Sequence, residues 1–167
     1  VITAVAVVDA SCYGTTDGSI SINASGGSGA LQYSINNGIT YLTGNVFANI
    51  PAGSYSIIVR DSNECLVTAS AVITEPPQIV LNTSALSASC GNNDGSVIIA
   101  ASGGVGTLEF SVDSGATFYQ SSTFGNLGAG NYNVIVQDAT GCTAFGIASV
   151  NNINGPVITN TLAAGLT

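Results

Sequence analysis

Apolar and polar residues alternate with a period of two in short runs along the chain. The first half shows Ile20 and Ile22, then Leu31, Tyr33 and Ile35, then Tyr55, Ile57 and Val59. The second half answers with Val97 and Ile99, then Leu108, Phe110 and Val112, then Tyr132, Val134 and Val136. A period of two sends every second side chain to the same face, so these runs predict half-buried β-strands. No segment of useful length carries a helical period. Gly, Asn and Asp bound the runs. Gly26-Gly27-Ser28-Gly29 and Gly103-Gly104-Val105-Gly106 are placed to join the second and third strands of each half, glycine allowing the positive φ of a tight connection.

The two halves are copies of one another. A shift of 77 residues lays Thr16–Cys65 on Asn93–Cys142 without a gap and matches 22 of 50 positions. The matches include Asp17-Gly18-Ser19 with Asp94-Gly95-Ser96, Ala52-Gly53 with Ala129-Gly130, Tyr55 with Tyr132, Asp61 with Asp138 and Cys65 with Cys142. About seven short strands per repeat, with turn signals every ~8–12 residues, predict an all-β chain of two tandem immunoglobulin-like antiparallel β-sandwiches. The expected organisation is one sandwich over residues 1–76, a second over 77–155, and a surplus strand over 156–167. Glu75-Pro76-Pro77 marks the boundary, since consecutive prolines donate no ladder hydrogen bonds. Gly53-x-Tyr55 and Gly130-x-Tyr132 sit at the entry to the penultimate strand, where a tyrosine corner packs its ring and donates its hydroxyl to the backbone. Asp61 and Asp138 are expected to accept backbone hydrogen bonds in the turn before the second cysteine.

Each repeat is close to the lower size limit for a self-sufficient core, which makes its two cysteines matter. Four cysteines allow three pairings, and the repeat symmetry favours Cys12–Cys65 and Cys90–Cys142. Closing such a loop would stabilise each sandwich by roughly 4 kcal/mol in the chain-entropy model. An oxidising, extracellular setting follows. Zinc is disfavoured, because the chain has no histidine and no Cys-x-x-Cys.

One basic residue, Arg60, against nine acidic ones gives a net charge of −8. That charge repels phosphate backbones and anionic membrane surfaces, which argues against nucleic-acid partners. No run of 18 apolar residues and no signal peptide is evident, so membrane insertion is not expected, and the absence of Met suggests a processed chain or a fragment. Catalysis is not expected either. Without His or Lys the available acids and bases are carboxylates and tyrosines, and no glycosidase-type carboxylate pair stands out. Asp17 and Asp94, with Asn92, Asn93 or backbone carbonyls, are the candidate calcium ligands, although Asp-Gly before a strand is also an ordinary turn. No other cofactor is implied. Asn23 and Asn82 head triplets that could carry glycan in a secreted protein.

The run Cys12, Gly14, Asp17-Gly18-Ser19-Ile20, the Gly26-Gly27 turn, Leu31, Tyr33-Ser34, Asn49-Ile50, Ala52-Gly53, Tyr55, Val59, Asp61 and Cys65 resembles the SprB-type repeat of the large cell-surface adhesins of gliding bacteria. The second copy ends in the more typical Asp138-Ala139-Thr140-Gly141-Cys142, whereas the first has Asp61-Ser62-Asn63-Glu64-Cys65. The resemblance implies a secreted, tandemly repeated, Ig-like module on bacterial surface filaments or adhesins, with no active site to carry over.

The end of the chain adds a feature beyond the repeats. Val157–Thr167 aligns with Ile79–Ser89, the opening strand of the second repeat, so two sandwiches come with three opening-strand segments. The uncharged segment has Val157, Ile158, Thr159, Thr161, Leu162 and Leu166 as its strand-forming residues. An uncharged strand without a sheet invites pairing with another chain. The expected function is therefore a structural subunit of an extracellular bacterial filament or adhesive stalk, joined head to tail with copies of itself by β-strand addition. Val1–Ser11 is the second candidate donor. The alternative reading is a carbohydrate-binding or spacer module of a longer adhesin, with Tyr41, Phe118 or Tyr119 stacking on surface glycans.

Overall fold

A computed structural model describes residues 1–157 of the chain. Its secondary structure is all β among these residues, and the chain divides into two compact units, Val1–Gln78 and Ile79–Thr167. The division falls between Gln78 and Ile79, one residue beyond Pro76-Pro77.

The first unit holds six strands: β1 (Ile2–Val8), β2 (Gly18–Ala24), β3 (Gln32–Ser34), β4 (Val46–Ile50), β5 (Gly53–Arg60) and β6 (Leu66–Ile73). They form two three-stranded antiparallel sheets, ordered β1-β2-β4 and β3-β5-β6. The alternation read from the sequence is the reason the sheets face each other. Ile20 and Ile22 of β2 meet Tyr33 of β3, Ile57 and Val59 of β5, and Ala71 and Ile73 of β6 in one buried cluster. Ile2, Val5, Phe47 and Tyr55 pack around it.

The second unit repeats the plan with β7 (Val80–Leu86), β8 (Ala88–Ser89), β9 (Gly95–Ser102), β10 (Glu109–Ser111), β11 (Thr123–Leu127), β12 (Gly130–Gln137), β13 (Thr143–Val150) and β14 (Asn152–Ile153). Its sheets run β11-β9-β7 and β10-β12-β13, with β14 and β8 as a short parallel pair. Val97, Ile99, Phe110, Val134, Val136, Ala148 and Val150 are buried between them. This is the strand order of an immunoglobulin-like sandwich, in which the two central strands of opposite sheets carry the core.

The count of about seven strands is too high for the first unit, which has six. Between β3 and β4 the chain makes only two isolated bridges, Leu42 to Tyr33 and Asn36 to Ser56, because turns around Asn37 and Gly38, both at positive φ, interrupt the extension needed for another strand. The two sheets are bulged at matching places. Asn49 and Asn126, at φ of 57° and 58°, sit where β4 and β11 slip register against β2 and β9.

The tyrosine corners form as expected. The Tyr55 hydroxyl donates to the Pro51 carbonyl at 2.6 Å, and the Tyr132 hydroxyl to the Gly128 carbonyl at 2.9 Å. Each ties the penultimate strand back to the corner from which it enters.

Candidate functional site: the two ends of each unit

The chemistry-bearing residues of both repeats gather at the strand ends rather than in a cleft. At one end of the first unit, the turn after β5 is organised by Asp61. Its carboxylate accepts the backbone N–H groups of Ser28 at 2.8 Å, Asn63 at 2.9 Å and Cys65 at 2.9 Å, which binds the Gly26-Gly27 turn to the turn before β6. Asp138 does the same for Val105, Thr140 and Cys142 in the second unit. Hydrogen bonds from Ser28 and then Cys65 hold the Asp61 carboxyl below its usual range. For Asp138, burial pushes the value up, but hydrogen bonds led by the Thr140 hydroxyl outweigh it and leave the carboxyl lowered. The different residue before the cysteine leaves the turn unchanged. Glu64 takes φ of 63° where Gly141 has 90°, and each donates its N–H back to the aspartate carbonyl, at 3.0 and 3.1 Å.

The opposite end of each unit carries the first cysteine. The residues around Cys12 are fixed to the segment that follows β6: Ala10 N–H donates to the Thr74 carbonyl, Thr74 N–H to Asp9, and Gly14 N–H to Glu75. In the second unit Ala88 N–H donates to the Asn151 carbonyl, Cys90 N–H to the Ile153 carbonyl, and Gly91 N–H to the Asn152 side chain.

This placement overturns the expected Cys12–Cys65 and Cys90–Cys142 bridges. Cys12 and Cys142 are disulfide-bonded, whereas Cys65 and Cys90 are exposed free thiols. The reason is geometric. Cys65 directly precedes the eight-residue β6, and Cys12 lies beside the residues that follow it. Eight extended residues span roughly 26 Å, while a disulfide needs Cα atoms within about 7 Å. Cys142 and Cys90 are separated in the same way by the eight-residue β13.

Asp17 and Asp94 lie at the first-cysteine end. Asp17 accepts Ser11 N–H at 3.0 Å and the Thr15 hydroxyl at 2.7 Å, and hydrogen bonds from Ser11 first, then Thr15, hold its carboxyl at about 2. Asp94 accepts both the N–H and the hydroxyl of Ser89, and its carboxyl is likewise lowered. Asn92 gives its N–H to the Ser89 carbonyl and Asn93 packs its side-chain oxygen toward Gly128. These groups organise the loop before β2 and β9, and no group of three or more His, Cys, Asp or Glu side chains suited to a metal forms among the described residues. The glycine after each aspartate is a packing requirement: a Cβ on Gly18 would stand 2.9 Å from both the Ile50 carbonyl and Ile73 Cγ2.

The remaining candidates are dispersed. Asn23 on β2 and Asn82 on β7 both face solvent. Tyr41 is half-buried, and its ring face is covered by the Arg60 guanidinium 3.9 Å from the centroid. Phe118 is half-buried as well, and Tyr119, 52% exposed, meets Phe124 edge to face with centroids 5.8 Å apart. Val157 is exposed, and Ile158, Thr159, Thr161, Leu162 and Leu166 lie outside the described residues.

Two features were not read from the sequence. Ser34 and Ser111 are fully buried, and each hydroxyl donates to the side chain two residues on, Asn36 or Asp113, while accepting the N–H of Gly38 or Gly115. The signal available was a serine retained at one position of both copies. On the outer face of β13, Phe145 and Ile147 are exposed where the first repeat has Thr68 and Ser70.

No helix among the described residues is long and apolar enough to cross a membrane. No curated protein sequence matches the chain. Among solved structures, the eight N-terminal Ig domains of Down Syndrome Cell Adhesion Molecule isoform 1.30.30 align with a TM-score of 0.44 and 13% identity, over 92% of this chain and 24% of that one. Residues 4–40 match the SprB repeat, the family whose motifs the Cys12–Cys65 segment resembles.

Proposed function

We propose that the chain is a structural module of an extracellular bacterial filament or adhesive stalk, in which Ig-like units repeat along a line and copies join head to tail. The observation that carries this reading is how each unit closes. The segment after its first strand runs parallel to the segment after its last strand and is hydrogen-bonded to it: Ala10 to Thr74 in one unit, Ala88 to Asn151 and Cys90 to Ile153 in the other. Tension between the two ends of a unit loads parallel bonds in shear, so they resist together instead of opening one at a time. Such a closure suits a part that is pulled. The SprB resemblance over residues 4–40 supports the cell-surface setting.

Joining by β-strand addition follows from the third opening-strand segment, Val157–Thr167. Both units already fill the first-strand position from within, β1 on β2 and β7 on β9. A donor strand therefore takes the place of β1 in the next copy. β1 is suited to exchange because only Ile2 and Val5 along it are half-buried, the rest being exposed. Negative-stain electron microscopy of the full chain beside a version ending at Gly155 tests this. Filaments from the full chain and none from the shorter one are expected, and filaments from both would refute strand donation. Glycan binding rests on Tyr119, the most exposed of the three candidate rings, and would be lost in Tyr119→Ala.

A further inference from the structure

Each repeat carries one cysteine at each of its two ends. The first kind, Cys12 and Cys90, sits beside the residues that follow the last strand, and the second kind, Cys65 and Cys142, immediately precedes that strand. The two kinds in one repeat are too far apart to bond, by the length of an eight-residue strand. One cysteine of each kind is nevertheless oxidised, Cys12 from the first repeat and Cys142 from the second. What remains is a complementary set: Cys65 of the second kind and Cys90 of the first, both exposed and both with free thiols. The positional counterpart of each free thiol in the other repeat is thus disulfide-bonded. Both free cysteines are also held in place. Cys65 gives its N–H to Asp61, and Cys90, at φ of 51°, gives its N–H to the Ile153 carbonyl and has its sulfur beside Gly155.

We propose that Cys65 and Cys90 are covalent linkage points between copies of this chain, Cys65 of one copy forming a disulfide with Cys90 of the next. The partner is a second copy because the thiol each cysteine lacks is of the kind the other supplies. Two thiols give up two electrons and two protons, so a disulfide-bearing oxidant is required, and oxidised glutathione serves as the probe. The Cys65 thiolate attacks one sulfur of oxidised glutathione and releases one glutathione thiolate. The Cys90 thiolate of another copy then attacks the protein sulfur of the mixed disulfide and releases the second, and the two protons end on the two glutathione thiols. Each copy keeps one thiol of each kind, so the linkage propagates head to tail.

This inference extends the filament reading but is tested apart from it, because a covalent bond survives boiling in detergent and a donated strand does not. The full chain is incubated with a glutathione redox buffer, quenched with an alkylating agent, boiled in SDS and run without reductant. A ladder of multimers is expected, collapsing to monomer on reduction. Cys65→Ser alone and Cys90→Ser alone should each stay monomeric, and their mixture should give a heterodimer and nothing larger. Peptide mapping of that heterodimer should return Cys65 bonded to Cys90. Monomer throughout in the full chain, or homodimers of the single variants as abundant as the mixed heterodimer, would overturn the proposal. A ladder with no filaments in the microscope would keep the covalent link and remove strand donation.

Discussion

Gly26 and Gly27 differ in their surroundings but not in their backbone, which makes them a controlled pair. Their φ values are 81° and 82°, both in the left-handed region. Alanine at either position incurs the cost of an L-residue there, about 1–2 kcal/mol, offset in part by the smaller entropy of the unfolded chain. At Gly26 nothing lies within 4 Å of an added Cβ, so that cost is the whole effect. At Gly27 the Cβ would stand 2.9 Å from Asp61 Cβ and 3.0 Å from Asp61 Oδ2. The aspartate must then move off the N–H groups of Ser28, Asn63 and Cys65, and overpacking of this kind adds roughly 1–3 kcal/mol. For a domain of this size, 1 kcal/mol moves the melting temperature by about 4–8 °C. Gly26→Ala should therefore lower the first unit's transition by one such step, and Gly27→Ala by two or three. Differential scanning calorimetry of the full chain reads the shifts, with amide exchange at Ile57 and Val59 identifying the first unit. In an Asp61→Gly background, which removes both the Cβ and the carboxylate from this contact, the excess at Gly27 should disappear, leaving the two glycine substitutions equal. Equal costs in the native background, or an excess that survives without Asp61, would refute the contact as the cause.

Acid should unfold the second unit partly through Asp113, whose carboxyl is held at about 2, against an ordinary 3.8, by the Ser111 hydroxyl first and by the Thr117 hydroxyl and N–H after it. A lowered folded-state value means the stabilisation is complete above the ordinary value and is lost as pH falls through the folded one, between about pH 4 and pH 2. Asp113→Asn should flatten that part of the melting-temperature profile and change little at neutral pH, since Asn36 already makes the matching bonds with Ser34 and Thr40 in the first unit; an unchanged acid slope would contradict this. Glu64 holds positive φ with a side chain where Gly141 holds it without one, so Glu64→Gly should stabilise the first unit by about 1 kcal/mol, read as a rise in its calorimetric transition. A fall in that transition would show that the side chain contributes more than the backbone strain it brings.

The strands were legible because burial and alternation coincide. Ile20, Ile22, Ile57 and Val59 could face only inward once the period of two was seen. The tyrosine corners and the local part of the aspartate turns were legible for a related reason, since Tyr55 bonds Pro51 and Asp61 bonds Asn63 and Cys65 within a few residues, whereas the bond of Asp61 to Ser28 spans two distant turns and was not read. The cysteine pairing was not. Repeat alignment gives separation along the chain, and whether Cys12 and Cys65 share an end of the sandwich depends on how many strands the chain traverses between them. Counting strands alone misleads, because the four between them, β2 to β5, would return the chain to the same end; the chain makes a further crossing between β3 and β4 outside any strand, and that leaves Cys12 and Cys65 at opposite ends. Ser34 was missed because a lone polar residue in an alternating run reads as solvent-facing, whereas the Asn36–Thr40 turn folds over it and supplies its partners.

Arg60 is the sole lysine or arginine in these 167 residues, and it is placed where a protease finds it hardest to use. It lies at the end of β5 with β3 on one side and β6 on the other, paired to Gln32 and Leu66. Its Nε donates to Gln32 and its guanidinium lies over Tyr41. A trypsin-like enzyme must draw several residues of extended chain into its cleft, so cutting here means first pulling a central strand out of its sheet. Against enzymes that cut after Lys or Arg, the chain is in this way protected by the near absence of such positions as much as by its fold. A tryptic digest of these residues accordingly yields only two long peptides, 1–60 and 61–167.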